Sequence, residues 1–268
     1  MSARALPRRT ALPRRTALAA LCTAAALGLS ACGPLADGAA GGRAVQDSGP
    51  TGPFAGESGP EIVDKALKTT KAASSLSLDI DFTTDEGPLK AYLATDTKGR
   101  CAGTLSLGAT GTGTAELIKT SDAAYMRFDE AYLREESKGE PAAEAAYMRK
   151  LLKGRWVKTD GSDADAAASL ELCDLDSLLA GFGEGDSEAR RGAETTVNGK
   201  KALSLTETDG EETYTVYVAT EGKPYLLKLV QKGGDEPGTI AFSQFDEPVP
   251  AKKPAAKDIL DLENLGQQ

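Results

Sequence analysis

The run Ser75-Leu76-Ser77-Leu78-Asp79-Ile80-Asp81-Phe82 alternates polar and apolar residues without a break. Successive side chains of a strand point to opposite faces, so Leu76, Leu78, Ile80 and Phe82 share one face while Ser77, Asp79 and Asp81 take the other. A helix would scatter the same residues around its circumference. The run therefore commits this part of the chain to a half-buried strand, and the rest of the chain to neighbours and to a layer that covers its apolar side.

Further strand candidates come at short intervals: Leu89 to Thr95, Cys101 to Leu107, Thr114 to Thr120, Ala124 to Phe128 and Arg155 to Thr159. Later come Lys201 to Thr208, Glu212 to Ala219, Pro224 to Gln231 and Thr239 to Phe245. Asn198-Gly199 and Asp209-Gly210 supply the positive φ of tight hairpins, and Lys98-Gly99 and Gly222-Lys223-Pro224 are further turns, as in an antiparallel meander. Helical periodicity marks Glu61 to Ala73, with Ile62, Val63, Ala66 and Leu67 on one side. The Ala, Leu and Glu content predicts helix over 129–152 and 163–179, and a short closing helix or tail over 254–265. Alternating strands with a few helices to cover one face make an α+β fold.

Leu203 and Leu205, Val216 and Val218, and Leu227 and Leu229 repeat the period-2 pattern, opposite Ser204 and Lys228. Together with Leu76, Leu78 and Ile80 they offer two apolar faces able to close on one space. Alternation is equally satisfied by a packed core, and both readings stand at this point.

The N-terminus reads as an address. Arg8, Arg9, Arg14 and Arg15 form a basic region, and Ala17 to Leu29 is an apolar stretch of signal-peptide length, too short for a transmembrane helix. It closes with Leu29-Ser30-Ala31-Cys32-Gly33, which resembles a bacterial lipobox: small residues admit a signal peptidase and the Cys32 thiol accepts diacylglycerol. The expected organisation is a signal peptide over 1–31, acylated Cys32, a tether to residue 60 and one domain over 61–268. Half of the residues in 33–60 are Gly, Pro or Ser, so this stretch cannot build a core and spans about 30 Å as a flexible coil. Pro-Arg-Arg-Thr-Ala-Leu occurs twice in tandem, and its second copy loosely resembles a twin-arginine signal; Sec and Tat export both stay open. The protein is expected at the outer face of the cell membrane, with the bilayer as its first partner.

Composition removes several functions. The chain has no histidine, which excludes Ser-His-Asp and Cys-His catalysis and zinc sites with His ligands. Loss of the five arginines of residues 1–31 leaves 26 basic against 40 acidic residues, a charge of −14, which repels nucleic acid. Of the four cysteines, Cys22 leaves with the signal peptide and Cys32 is acylated. Cys101 and Cys173 then remain outside the reducing cytosol and are expected to form one disulfide, two buried thiols being the other reading.

No motif carries catalytic chemistry. The glycines of 108–113 lack the Lys-Ser/Thr of a phosphate loop and read as a hairpin turn. Asp160-Gly161-Ser162-Asp163-Ala164-Asp165 has Asp165 where a calcium loop needs glycine, and Asp163 reads as a helix cap. Asp79 and Asp81 lie on the polar face of their strand. No catalytic residue, metal or cofactor is expected.

Several phrases go further: Gly154-Arg155-Trp156-Val157-Lys158 after a helix, Val197-Asn198-Gly199-Lys200-Lys201-Ala202, Tyr217-Val218-Ala219-Thr220-Glu221-Gly222-Lys223-Pro224-Tyr225, and Phe242-Ser243-Gln244-Phe245-Asp246. With the order of elements over residues 60 to 265, they resemble the LppX/LprG group of cell-envelope lipoproteins, built on the LolA-like half-barrel. The resemblance implies a strongly curved antiparallel β half-barrel with helices packed on the concave side, enclosing an apolar cavity for acyl chains. It makes a lipid or lipoglycan the expected ligand, with Leu76, Leu78, Ile80, Leu203, Leu205, Val216, Val218, Leu227 and Leu229 as wall candidates. An envelope interaction or sensor module with an envelope-protein partner is the other function that this fold admits.

Overall fold

In the computed structural model, which describes residues 52–85, 87–107, 111–159, 164–180 and 187–260, the alternating runs pair into one sheet of twelve strands. Helix α1 (Gly59–Lys71) precedes β1 (Ser75–Thr84), β2 (Gly87–Asp96), β3 (Cys101–Leu107), β4 (Gly113–Lys119) and β5 (Ala124–Phe128). Helices α2 (Glu130–Glu136) and α3 (Ala142–Leu152) lead to β6 (Trp156–Thr159), and α4 (Ala164–Glu171) and α5 (Leu175–Ala180) follow it. The second series is β7 (Arg190–Val197), β8 (Lys200–Asp209), β9 (Glu212–Ala219), β10 (Leu226–Lys232) and β11 (Gly238–Ser243). A 3-10 turn over Ala256–Asp258 ends in β12 (Ile259–Leu260).

The spatial order is β12-β6-β5-β4-β3-β2-β1-β11-β10-β9-β8-β7. One wing grows outward from β1 to β6; α4 and α5 follow; the second wing grows inward from β7 until β11 docks antiparallel on β1. β1, with the strongest alternation, thus holds the centre. The sheet is curved and open. Its concave side carries one core in which Leu117 and Met126 of the first wing meet Leu203 and Leu205 of the second through Ile62 and Leu67 of α1 and Leu179 of α5. Residues so far apart in strand order share a core only because the sheet wraps around the helices. Gly103, in β3, sits where the backbones crowd: a Cβ there would lie 1.9 Å from the Tyr92 carbonyl oxygen.

Helix α1 begins before the expected Glu61. Ser58 caps it in a capping box: its side chain accepts the Glu61 N–H while its own N–H donates to the Glu61 carboxylate at 2.7 Å. Gly59 follows because a Cβ there would lie 1.8 Å from the Ala189 carbonyl oxygen. Phe54 packs against the core and its carbonyl accepts from the Arg191 guanidinium at 2.6 Å, so the last part of the expected tether is docked on the domain. The segment 129–152 is two helices, since Gly139 takes φ 93° and Pro141 cannot continue a helix. The segment 163–179 is likewise divided at Cys173, with Asp174 accepting from the Ser177 N–H at 3.0 Å.

Two elements depart from the sequence pattern. β7 is exposed from Arg190 to Thr196, and as the sheet's edge it shows no alternation to read. The closing helix or tail expected over 254–265 is, up to residue 260, the 3-10 turn and β12, which pairs in parallel with β6. No helix among the described residues is long and apolar enough to cross a membrane. The expected signal peptide, Cys32, the tether up to residue 51, Gly108 to Thr110, Asp160 to Asp163 and residues 261–265 lie outside the described residues.

Candidate functional site: the concave face of the sheet

Strand register arranges the concave side chains in rows that run across the sheet. Next to the β1 start, Leu76 pairs with Thr95 and Thr95 with Cys101. The second row runs Phe242, Leu78, Leu93, Gly103, Leu117, Met126. The third joins both wings: Ile80 pairs with Ala91 on one side and Ile240 on the other, and Ile240 leads through Leu229 and Val216 to Leu205. The fourth is Leu89, Phe82, Gly238, Gln231, Tyr214, Glu207.

Burial falls along these rows. In the first, Thr95 and Cys101 are 0 % exposed and Leu76 1 %. The second row is buried at Leu78, Leu93, Leu117, Met126 and Phe242. The third, which continues from Ala91 through Leu105 and Ala115 to Phe128, mixes buried Ile80, Leu105 and Leu205 with half-buried Ile240, Val216 and Phe128. Every member of the fourth row is half-buried. Among the described residues the half-barrel has a closed end and an open end.

The closed end is tied down covalently and by hydrogen bonds. Cys101 and Cys173 form a disulfide across 72 residues, with Cα atoms 5.5 Å apart. Beside it the Thr95 hydroxyl donates to the Cys173 carbonyl at 2.6 Å, so the turn between α4 and α5 is fastened to the sheet twice. Thr70 of α1, 0 % exposed, accepts the Leu226 N–H at 2.9 Å. Both threonines put a polar atom inside the core, and both are satisfied there. Outside this end, the turn after β11 knots the chain: the Asp246 carboxylate accepts from the Ser74 N–H at 2.9 Å, the Tyr225 hydroxyl at 2.8 Å and Lys223 at 3.0 Å. These bonds, the Ser74 N–H foremost, hold its carboxyl far below the usual carboxylate range.

The open end is apolar on one side and polar on the other. Phe82, Leu89, Phe128, Ile240 and Val216 line the apolar side and pack, half-buried, against the core, as does Leu178 of α5. On the second wing the fourth row turns polar at Gln231, Tyr214 and Glu207. Here Ser187 donates to the Glu207 carboxylate at 2.7 Å and the Tyr214 hydroxyl to Glu212.

The structure brings Leu76, Leu78, Ile80, Leu203, Leu205, Val216 and Val218 to the one concave core, and Leu229 pairs with Val216 on the same face. Leu227 is a correction. The register shifts between Leu226 and Lys228, so a bulge carries Leu227 to the convex face, where it packs with Ala202, Ala219 and Tyr217, and Leu226 takes its inward place opposite Val218. Phe82 and Phe242 were legible as inward-facing from period 2, whereas Leu89 and Phe128 gain their positions only through pairing. The sequence had offered Leu89 and Phe128 merely as strand ends. Among the described residues no group of three or more Cys, Asp or Glu side chains could hold a metal ion.

No protein-family model matches the chain, and no curated protein matches it. Among solved structures it is similar to the lipoprotein LppX of Mycobacterium tuberculosis, with 14 % identity over 72 % of this chain and 99 % of that chain and a TM-score of 0.46. It is also similar to LprF from Mycobacterium bovis, at 13 % identity over 75 % of this chain and 100 % of that chain, TM-score 0.48. A third is the Pseudomonas aeruginosa MucA/MucB complex, at 12 % identity over 75 % of this chain and 59 % of that chain, TM-score 0.28. Likenesses this distant carry nothing about ligand or anchoring.

Proposed function

We propose that the chain is an exported lipoprotein, cut before Cys32 and acylated there, whose half-barrel takes the acyl chain of a lipid or lipoglycan at its open end on the outer face of the membrane. The observation that supports this reading is the burial gradient. Large apolar side chains at Phe82, Leu89, Phe128, Ile240 and Val216 stay half-buried while the same face two rows away is sealed. A contiguous row of partly wet apolar side chains of this kind is costly in water unless something covers it. An acyl chain laid along the lip removes about 0.8 kcal/mol of unfavourable hydration per CH₂. The neighbouring polar side, with Gln231, Tyr214 and Glu207, suits the end of the lipid that must stay wet. The Gly- and Pro-rich stretch after Cys32 gives an acidic body the reach to stand off an anionic bilayer while remaining attached.

Native mass spectrometry of protein purified from its own host tests the reading. The expected spectrum shows a diacylglyceryl mass on Cys32 and a separate, dissociable lipid adduct. A parent protein that carries neither the acyl mass nor an adduct overturns the proposal.

A further inference from the structure

Helix α3 makes almost no use of the sheet. Of its residues only Ala145 is buried, and it packs on α2. Between the two helices lies a groove of about 210 Å³ with a floor of Leu133, Ala145, Met148 and Leu152. Drug-sized or lipid ligands take pockets of roughly 300–1,000 Å³, so this groove fits one or two protruding side chains instead. Met148 in this floor is 40 % exposed and Tyr147, its neighbour in sequence, 62 %; they are two of the three large apolar side chains left exposed among the described residues.

The groove is rimmed by Glu136, Glu140 and Glu144. The carboxylates of these three have no ion-pair partner among the described residues, unlike Glu130 nearby, which meets Lys153 and Arg134. The one cation in the lining, Arg149, is turned onto the Ser137 hydroxyl at 2.7 Å. An apolar floor inside a ring of free carboxylates is complementary to apolar side chains flanked by cations.

We propose that the α2–α3 groove docks a cationic amphipathic segment of a partner protein, its apolar side chains seated on Met148 and Leu152 and its Lys or Arg residues facing Glu136, Glu140 and Glu144. The acidic rim selects against acidic segments and against a second copy of this acidic chain. This surface lies on the hairpin, not on the concave face, so the inference stands whether or not a lipid is bound.

The test uses the full chain in a non-ionic detergent, with empty micelles as blank, and two synthetic amphipathic helices, one of Leu and Lys and one of Leu and Glu. The Leu/Lys helix should bind and slow amide exchange over residues 130–152, and the Leu/Glu helix should not. Met148→Asp, and separately the pair Glu140→Lys and Glu144→Lys, should each weaken binding about tenfold, equivalent to about 1.4 kcal/mol. The pair Asp209→Lys and Glu211→Lys, an equal charge change on the distant β8–β9 hairpin, should leave affinity within about twofold, and unchanged melting confirms that each variant folds. Equal weakening by the distant pair, protection outside 130–152, or unaltered binding by Met148→Asp would each overturn the proposal. So would self-association that protects α3 without any peptide.

Discussion

Leu76 and Phe82 lie on the same face of the same strand, yet Leu76 is 1 % exposed and Phe82 is half-buried. Hydrophobicity does not distinguish them, since both are residues that favour the interior. What distinguishes them is the layer opposite. At the Leu76 end, the α4–α5 turn is fastened by a disulfide and by Thr95, and α1 is fastened to β10 through Thr70. At the Phe82 end, α1 starts beside Ala189, and among the described residues no buried side chain of α1 or α5 hydrogen-bonds to the sheet there. A curved open sheet can thus be a packed core at one end and a recess at the other, with one alternating pattern running through both.

The disulfide offers the largest effect with which to break this comparison. Replacing Cys101 and Cys173 by Ser should lower stability by up to about 4 kcal/mol, from loop closure across 72 residues, with the melting temperature falling accordingly. An unchanged melting temperature in calorimetry would mean that the closed end does not depend on its clamp. Next, Leu78→Ala should cost about 3 kcal/mol, whereas Phe82→Ala, although it deletes more atoms, should cost about 1.5 kcal/mol because part of its surface is already wet. Urea unfolding reads both, and the reverse order would remove the gradient.

Enlargement sharpens the same contrast. Ile240→Trp at the open end should change stability by less than about 1 kcal/mol while abolishing any lipid adduct, and Leu78→Trp should cost about 1–3 kcal/mol from overpacking. Loss of stability without loss of lipid in Ile240→Trp would move the ligand elsewhere. The smallest effect is electrostatic. Asp246 beside the closed end has a folded pKa below the roughly 3.9 of an unfolded chain, so its contribution is present above that value and lost as pH falls through the folded one. Glu61, in the capping box of α1, is lowered in the same sense by the Ser58 N–H. Asp246→Asn should therefore flatten the acid side of a melting-temperature profile more than Glu61→Gln, because Asp246 joins three separate segments and Glu61 only one cap.

Much of the sheet was legible because alternation is a local property: β1, β3, β5, β8 and β9 follow runs that any reader of the sequence can mark. The two breaks inside the helical segments were legible in principle at Gly139-Glu140-Pro141 and at Cys173, but composition alone hid them. β7 was not legible, since an edge strand with both faces in water needs no apolar period.

By itself the sequence determined that the chain makes a one-sided sheet with helices to cover it, that histidine chemistry is absent, and that a lipobox-like Leu29-Ser30-Ala31-Cys32-Gly33 precedes a Gly- and Pro-rich stretch. Those properties reside in residue type and short-range period. Tertiary structure alone decided that Leu227 faces outward, that Leu89 and Phe128 face the same recess as Ile240, and that one end of the half-barrel is sealed and the other is not. The reason is that a bulge moves a side chain to the other face without altering its chemistry, and burial depends on the element packed across the sheet, which no single strand encodes.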